Sequence, residues 1–309
     1  MAFPTNNFIN LNKRTMTKGI FTATLLYGCI FLGACASSQW YIPSDLSPEG
    51  SFTTNCEGPC VDKAGNLYVV NFREDGTVGW IQPGKPVELW TKLPDGSIAN
   101  SIQFDSKGDM LLADFSGHNV LKINPATKKT SVFCHDARFN QPNDLCISKG
   151  DVLYASDPNW KSGTGQVWKI TPDGKAEVAA PAMGTTNGIA LSPDEKTLYV
   201  NESVQRRIWA FAVLPDGNLG NKRLFASFDD FGLDGMKCDR EGNLYATRWG
   251  KGTIAVLSPT GQQIREITLQ GKKVSNLAFG GPDGKTVYVT LQDRKCVGTF
   301  RNKIAGKGW

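Results

Sequence analysis

Residues 148–157 read SKGDVLYASD: a polar turn, then Val-Leu-Tyr, then a small polar stop. Taken alone, the segment is a short strand led by a hairpin turn. It is not alone. DKAGNLYVVN (62–71), DSKGDMLLAD (105–114), SPDEKTLYVNE (192–202), DREGNLYATR (239–248) and GPDGKTVYVTL (281–291) follow the same order. Their central residues are Tyr68, Leu111, Tyr154, Tyr199, Tyr245 and Tyr288, spaced by 43, 43, 45, 46 and 43 residues. Between these marks come further short runs, such as GTVGWIQP and KPVELWT, divided by Gly, Pro and Asp and lacking a 3.6-residue apolar period. A period in the forties with about four strands per repeat predicts propeller blades. The chain is therefore expected to be all-β, with six four-stranded blades around a central channel. The D-x-x-G-N segments look like calcium loops at first sight. They lack the 12-residue ligand series and its closing Glu, and read as tight turns.

The last repeat, Asn276 to Trp309, is 34 residues long and about one strand short. Residues 40–55, WYIPSDLSPEGSFTTN, precede the first repeat and have no blade of their own. They are expected to supply the outer strand of the last blade, closing the ring and covering an exposed edge. Residues 36–309 then form a single propeller domain.

Residues 1–35 read as an export signal: basic NKRTMTKG, then the apolar run IFTATLLYGCIFLGAC, too short to span a bilayer. The ending LGAC looks like a bacterial lipobox with Cys35 as the lipid-modified residue. Ala36 after it suits outer-membrane sorting, so a periplasmic, lipid-anchored protein is expected, with plain secretion as the alternative. Lys13, Arg14 and Lys18 lie in this leader, and removing their three charges from the net +5 leaves +2. No nucleic-acid groove is expected from so small a surplus. Of eight cysteines, Cys56, Cys60, Cys134, Cys146, Cys238 and Cys296 lie beyond Cys35. An exported chain permits disulfides among them, whereas Cys60, Cys146 and Cys238 stand in apolar runs that suit buried thiols. Only CEGPC offers clustered thiols, so a zinc–thiolate site is not expected.

Ahead of the opening segment stands FNQPNDLCIS (139–148), in which Asn143 lies eleven residues before Tyr154. Glu57, Asn100, Asn187, Asp234 and Asn276 occupy the same place, eleven or twelve residues before the other five marks. Each leads an apolar run. Any one of the Asn or Asp residues is explained by turn chemistry. Six at one register, including a Glu, are not. Because the first strand of every propeller blade lines the channel, six side-chain oxygens are expected to converge on the axis. Two carboxylates with several amides suit a hard divalent cation, Ca²⁺ first, with Mg²⁺, Mn²⁺ or Zn²⁺ behind. His118 and His135 stand outside the ring, so a His-rich catalytic zinc set is absent.

EGPCVD, QPNDLCI, TTNGIALSPDEKTLYVNES, GLDGMKCDREGNLYATRWGKGTI and VSNLAFGGPDGKTVYVT follow in order along the chain. In these segments the sequence resembles the gluconolactonase / senescence marker protein (regucalcin) / luciferin-regenerating enzyme-like family of six-bladed propellers. The resemblance implies a metal held by Glu57, Asn143, Asn187 and Asp234, with Asp234 as general base and catalytic residue. It also implies a sugar-acid lactone as substrate, with Asn100 and Asn276 contacting substrate or water. Arg138 and Asp157 are candidate contacts at the channel mouth, a surface role being the alternative for each. SIANSIQFD around Asn100 lacks the family's Asn-Gly pair, and DFSGHNVLKI (114–123) departs from its Glu-His-Gly wording. A monomeric lactonase is thus the first expectation. A phosphotriesterase-type hydrolase resembling diisopropyl fluorophosphatase, and a non-catalytic binding propeller, are the alternatives. There is no G-x-S-x-G elbow. GKGTIA (250–255) matches a dinucleotide-binding pattern, but a β-rich stretch follows where a helix is needed.

Overall fold

The structure, a computed structural model, describes residues 39–309; the expected export signal and lipobox lie outside the described residues. The strands assemble into six antiparallel four-stranded sheets, with no helix among the described residues. The expected six-bladed propeller is what forms. The first strand of each blade lies innermost: Phe52–Val61, Ala99–Phe104, Leu145–Ile147, Thr186–Leu191, Met236–Cys238 and Val274–Gly280. Each lies against the inner strand of the next blade, and the last lies against the first.

The repeat marks fall on the second strands, which are apolar on both faces because each blade packs against two neighbours. Leu67–Phe72, LYVVNF, is buried at every position. The core therefore sits between blades. Tyr245, Ile254, Val256 and Ile267 of blade 5 pack against Val274, Leu277, Val287 and Val289 of blade 6. Tyr68, Val70 and Val78 of blade 1 meet Ile102, Met110 and Leu112 of blade 2 in the same way.

The D-x-x-G-N segments are turns, as expected, and their aspartates are fully engaged. Asp62 Oδ1 accepts from the Ala64 and Asn66 N–H groups, while Oδ2 accepts from Asn66 Nδ2 and the Tyr68 hydroxyl. Asp239 repeats the pattern with Glu241, Asn243 and Tyr245. These are side-chain-closed turns that hand the chain to a strand carrying a buried Tyr.

Ring closure also follows the expectation, in a shorter form. Ser44 pairs with Thr299 and Asp45 with Gly298, adding a two-residue outer strand to blade 6. Arg294 fixes that strand by donating to both Asp45 carboxylate oxygens at 2.5 and 2.7 Å. Outside that strand, Trp40 bridges Arg301 and the Leu46 and Ser47 N–H groups donate to the Val297 carbonyl at 2.8 and 3.1 Å, while Phe52 onward belongs to the inner strand of blade 1. The six cysteines among the described residues are free thiols, buried except for half-buried Cys60.

Candidate metal centre and active site

Each of the six expected ring residues sits where its inner strand leaves the regular ladder. Pairing shifts occur on both sides of Glu57, across Asn100, across Asn187 and across Asn276. In blades 3 and 5 the inner strand begins just after Asn143 and Asp234. An irregularity of this kind re-aims a side chain that a flat strand would hold in the sheet face. It also frees backbone groups, which polar side chains then satisfy. Asn201 donates to the Asp234 carbonyl at 2.5 Å and accepts from the Gly188 N–H at 3.2 Å. The Thr247 hydroxyl lies 3.0 and 2.9 Å from the carbonyls of Gly235 and Ser275, and the Ser275 hydroxyl donates to the Cys56 carbonyl at 3.0 Å. Blades 4, 5, 6 and 1 are stitched together at the ring.

Glycine makes the close approach feasible. A Cβ on Gly188 would lie 2.1 Å from the Asp234 carbonyl oxygen, and one on Gly235 would lie 2.1 Å from the Asn276 side chain. The N-G and D-G pairs of the sequence are thus contacts to the next blade. Where Asn100 is followed by Ser101 instead, the hydroxyl reaches across to Asp144 Oδ1 of the next blade at 2.7 Å.

Glu57, Asn100, Asn143, Asn187 and Asp234 together line a cavity of about 420 Å³. Its outer wall carries Trp160, Val204 and Trp249, all exposed, with Ser203, Gly232 and Gln292. No Lys or Arg lines it. Asn276 does not line it either. It is buried, its Oδ1 accepts from the Leu277 N–H at 2.9 Å, and its amide beside Glu57 favours that carboxyl's charged form. Arg138 is away from the cavity: its Nε and Nη2 donate to Asp136 at 2.8 and 2.7 Å, and its guanidinium lies 5.0 Å from the Trp168 ring centroid. A short-range carboxylate and an aromatic face hold it on the outside. Asp157 is at neither the mouth nor the surface. It is buried, accepting from the Gln141 N–H at 2.6 Å and from Trp168 Nε1 at 2.8 Å, and pins the 140–141 segment.

The electrostatics of the ring are unbalanced. Burial pushes the Glu57 carboxyl up to about 8, against the Gly58 N–H that favours its charged form, with the Asp144 charge raising it further. Asp234 has an edge open to the cavity, yet it is pushed well above the usual carboxylate range, by burial first and by the Glu57 and Asp144 charges next. Asp144 is a third buried carboxylate, which sequence reasoning quoted without giving it a role. Its nearest ammonium is Lys237 Nζ, 3.8 Å from Oδ2. Two further atoms are orphaned: Glu57 Oε1 and Asn143 Oδ1 are buried without a hydrogen-bond partner. Crowded carboxyls and unpartnered hard oxygens fit a divalent cation, which removes both costs at once. Among the described residues no three His, Cys, Asp or Glu side chains are grouped to hold a metal, so the Asn143 and Asn187 amides would have to share the coordination. The rim was missed as well. Trp160, Ser203, Trp249 and Gln292 stand four to six residues past the repeat marks, so the same register that located the ring would have located them.

Comparison with known proteins identifies the family and the fold. Gluconolactonase of Zymomonas mobilis is 28% identical over 270 residues, covering 76% of this chain and 75% of that protein. Diisopropyl-fluorophosphatase of Loligo vulgaris is 28% identical over 283 residues, covering 81% and 90%. A solved calcium-binding protein, regucalcin, from Agrobacterium tumefaciens has the same fold, with a TM-score of 0.73 at 20% identity over 86% of this chain and 97% of that one. The SMP-30/Gluconolactonase/LRE-like region matches residues 55–293, which include all six ring positions, and the chain belongs to that family.

Proposed function

We propose that this protein is a divalent-metal-dependent lactonase acting on a neutral lactone, of which a sugar-acid lactone is the first candidate. The observation that carries the reading is the pair of orphaned oxygens, Glu57 Oε1 and Asn143 Oδ1, in a cavity shared with Asn187 and Asp234. These four residues would hold the cation, Ca²⁺ before Mg²⁺, Mn²⁺ or Zn²⁺ because every donor is oxygen. When bound, the cation supplies Lewis-acid polarisation of the lactone carbonyl. Asp234 takes a proton from the attacking water. The acyl–oxygen bond of the ring then breaks, and the Asp234 carboxyl returns its proton to the leaving oxygen, giving the hydroxy acid. Asn100 orients the substrate, and Trp160 and Trp249 enclose its ring. With no cationic side chain in the wall, a lactone bearing phosphate or sulfonate is disfavoured.

Hydrolysis of glucono-δ-lactone, followed by acid release, tests this directly. Activity that chelator removes, Ca²⁺ restores and Asp234→Asn abolishes is expected. A folded, Ca²⁺-loaded protein inactive on several neutral lactones contradicts it. The relationship to diisopropyl-fluorophosphatase makes a phosphotriester the second substrate to test on the same preparation. Inactivity on both classes leaves a binding propeller. The proposal includes a monomer exported by residues 1–35 and anchored through lipid on Cys35 at the outer membrane. Labelled fatty acid incorporated by the wild type and refused by Cys35→Ser checks the anchor.

A further inference from the structure

The inner strands continue past the ring to the opposite end of the channel. A second cavity of about 180 Å³ lies there, with Cys60, Gln103, Cys146, Lys237, Cys238 and Lys307 among its lining residues. Val61, Leu191 and Phe279 give it apolar walls. Burial pushes the Cys60, Cys146 and Cys238 thiols each up to about 12, so they stay neutral and the two lysines set the charge. Neutral thiols make poor metal ligands, and among the described residues no metal-binding group includes them.

Neither lysine has an acid within hydrogen-bond range. Lys307 Nζ is shielded from water and has no hydrogen-bond partner. The nearest carboxylate oxygen, Glu195 Oε1, is 3.8 Å away. Lys237 Nζ stands at 3.8 Å from Asp144. An ammonium paired only at 3.8 Å keeps its charge partly balanced and leaves its hydrogen-bond donors unfilled, and a second ammonium beside the same cavity adds repulsion. The segment carrying Lys307 is nonetheless fixed in place. Gly306 bridges Asp239 and donates its N–H to the Gly284 carbonyl at 3.0 Å, while the Lys307 N–H donates to the Cys238 carbonyl at 3.1 Å. Asn302 Nδ2 ties the same segment through the Ile304 carbonyl at 2.7 Å.

We infer that this end of the channel is a binding site for a small organic anion, its charged group between Lys237 and Lys307 and its apolar part against Val61, Leu191 and Phe279. The volume equals that of about six waters, which suits a carboxylate of roughly six to nine heavy atoms. An inorganic oxyanion would satisfy the lysines and leave the apolar wall bare. The inference is independent of the lactonase reading.

The test is calorimetric titration of the full protein, stripped of divalent cations by chelator and dialysed free of it. Metal is removed because a carboxylate could otherwise bind at the ring. The probes are hexanoate, benzoate, inorganic sulfate and hexanol. One hexanoate or benzoate per chain is expected, with sulfate and hexanol at least tenfold weaker. Lys307→Met should weaken hexanoate at least tenfold, while Lys307→Arg, which keeps the charge, should stay within about threefold. Asp234→Asn should bind hexanoate as the wild type does, since it alters only the other end. Failure of the folded wild type to bind either organic anion overturns the inference, whatever the variants do. Binding unchanged in a folded Lys307→Met, or sulfate as tight as hexanoate, overturns it too.

Discussion

At one end of the channel stand Glu57, Asn143 and Asp234; three or four residues further along the same strands stand Cys60, Cys146 and Cys238. At about 3.3 Å per residue the two sets are roughly 10 Å apart along the strands. One end gathers three crowded carboxylates, and the other gathers two ammonium groups whose nearest carboxylate oxygens stand at 3.8 Å, beyond hydrogen-bond range. Lys237, at 3.8 Å from Asp144, is the seam between them. The repeat delivers equivalent positions to one axis, but it does not decide their charge. Side chains that would have neutralised each other in a folded core are held apart by the strand on which they lie. The oxygen end therefore calls for a cation and the lysine end for an anion.

The sharpest way to break the contrast is to remove an acid from the oxygen end. Asp234→Asn is expected to lower lactone hydrolysis by about 10²–10⁴-fold, the range for loss of a positioned acid–base group, and Glu57→Gln is expected to lower it through loss of the cation. Glu57→Gln should also raise the melting temperature of the chelated protein at pH 8, because it deletes a buried charge. A variant that loses activity and stability together would mean that Glu57 is structural.

Next in size is the approach of neighbouring blades at the ring. Gly188→Ala places a methyl 2.1 Å from the Asp234 carbonyl and should destabilise the fold by about 1–3 kcal/mol, measured by urea denaturation. Gly308, which has open space around its Cβ position, serves as the control and should tolerate Ala without measurable change.

The pH dependence is subtler. The folded Glu57 carboxyl lies near 8 against an ordinary value of 4.5, so between these limits the folded chain holds more protons than the unfolded chain. Stability of the metal-free protein should consequently fall as pH rises from about 4.5 through 8, and level off above. Scanning calorimetry in chelator should give a higher melting temperature at pH 5.5 than at pH 8, with saturating Ca²⁺ reversing the order. A metal-free protein that gains stability over this range contradicts the charge imbalance.

The smallest effect belongs to the rim. Trp249 is partly exposed and donates its Nε1–H to Gln292 at 2.9 Å, so Trp249→Ala should raise KM by about 3–10-fold and leave kcat nearly unchanged.

The blade count, the ring register and the closing strand were legible because each is a property of the repeat. Tyr68 to Tyr288 mark the second strands, and the six oxygens precede them at a fixed distance. What the repeat does not encode was not legible. Asn276 occupies the same register as Glu57, yet Gly235 lets it pack behind the ring, a result of contact between blades 5 and 6. Arg138 sits beside the Asn143 segment in sequence, but Asp136 and Trp168 hold it outside. Asp144 faces a partner, Ser101, that comes from another blade. Lys307 lies past the last strand, which ends at Arg301, and its place over the channel depends on hydrogen bonds to blades 5 and 6.

The most direct measurement is Ca²⁺ titration of the metal-free protein by calorimetry at pH 7, repeated in two buffers of different ionisation enthalpy. One Ca²⁺ per chain is expected, with protons released as the Glu57 and Asp234 carboxyls give up theirs to the cation, and with Glu57→Gln binding at least a hundredfold more weakly. Absence of binding, or binding that releases no proton and ignores Glu57→Gln, would contradict a cation held by the channel oxygens.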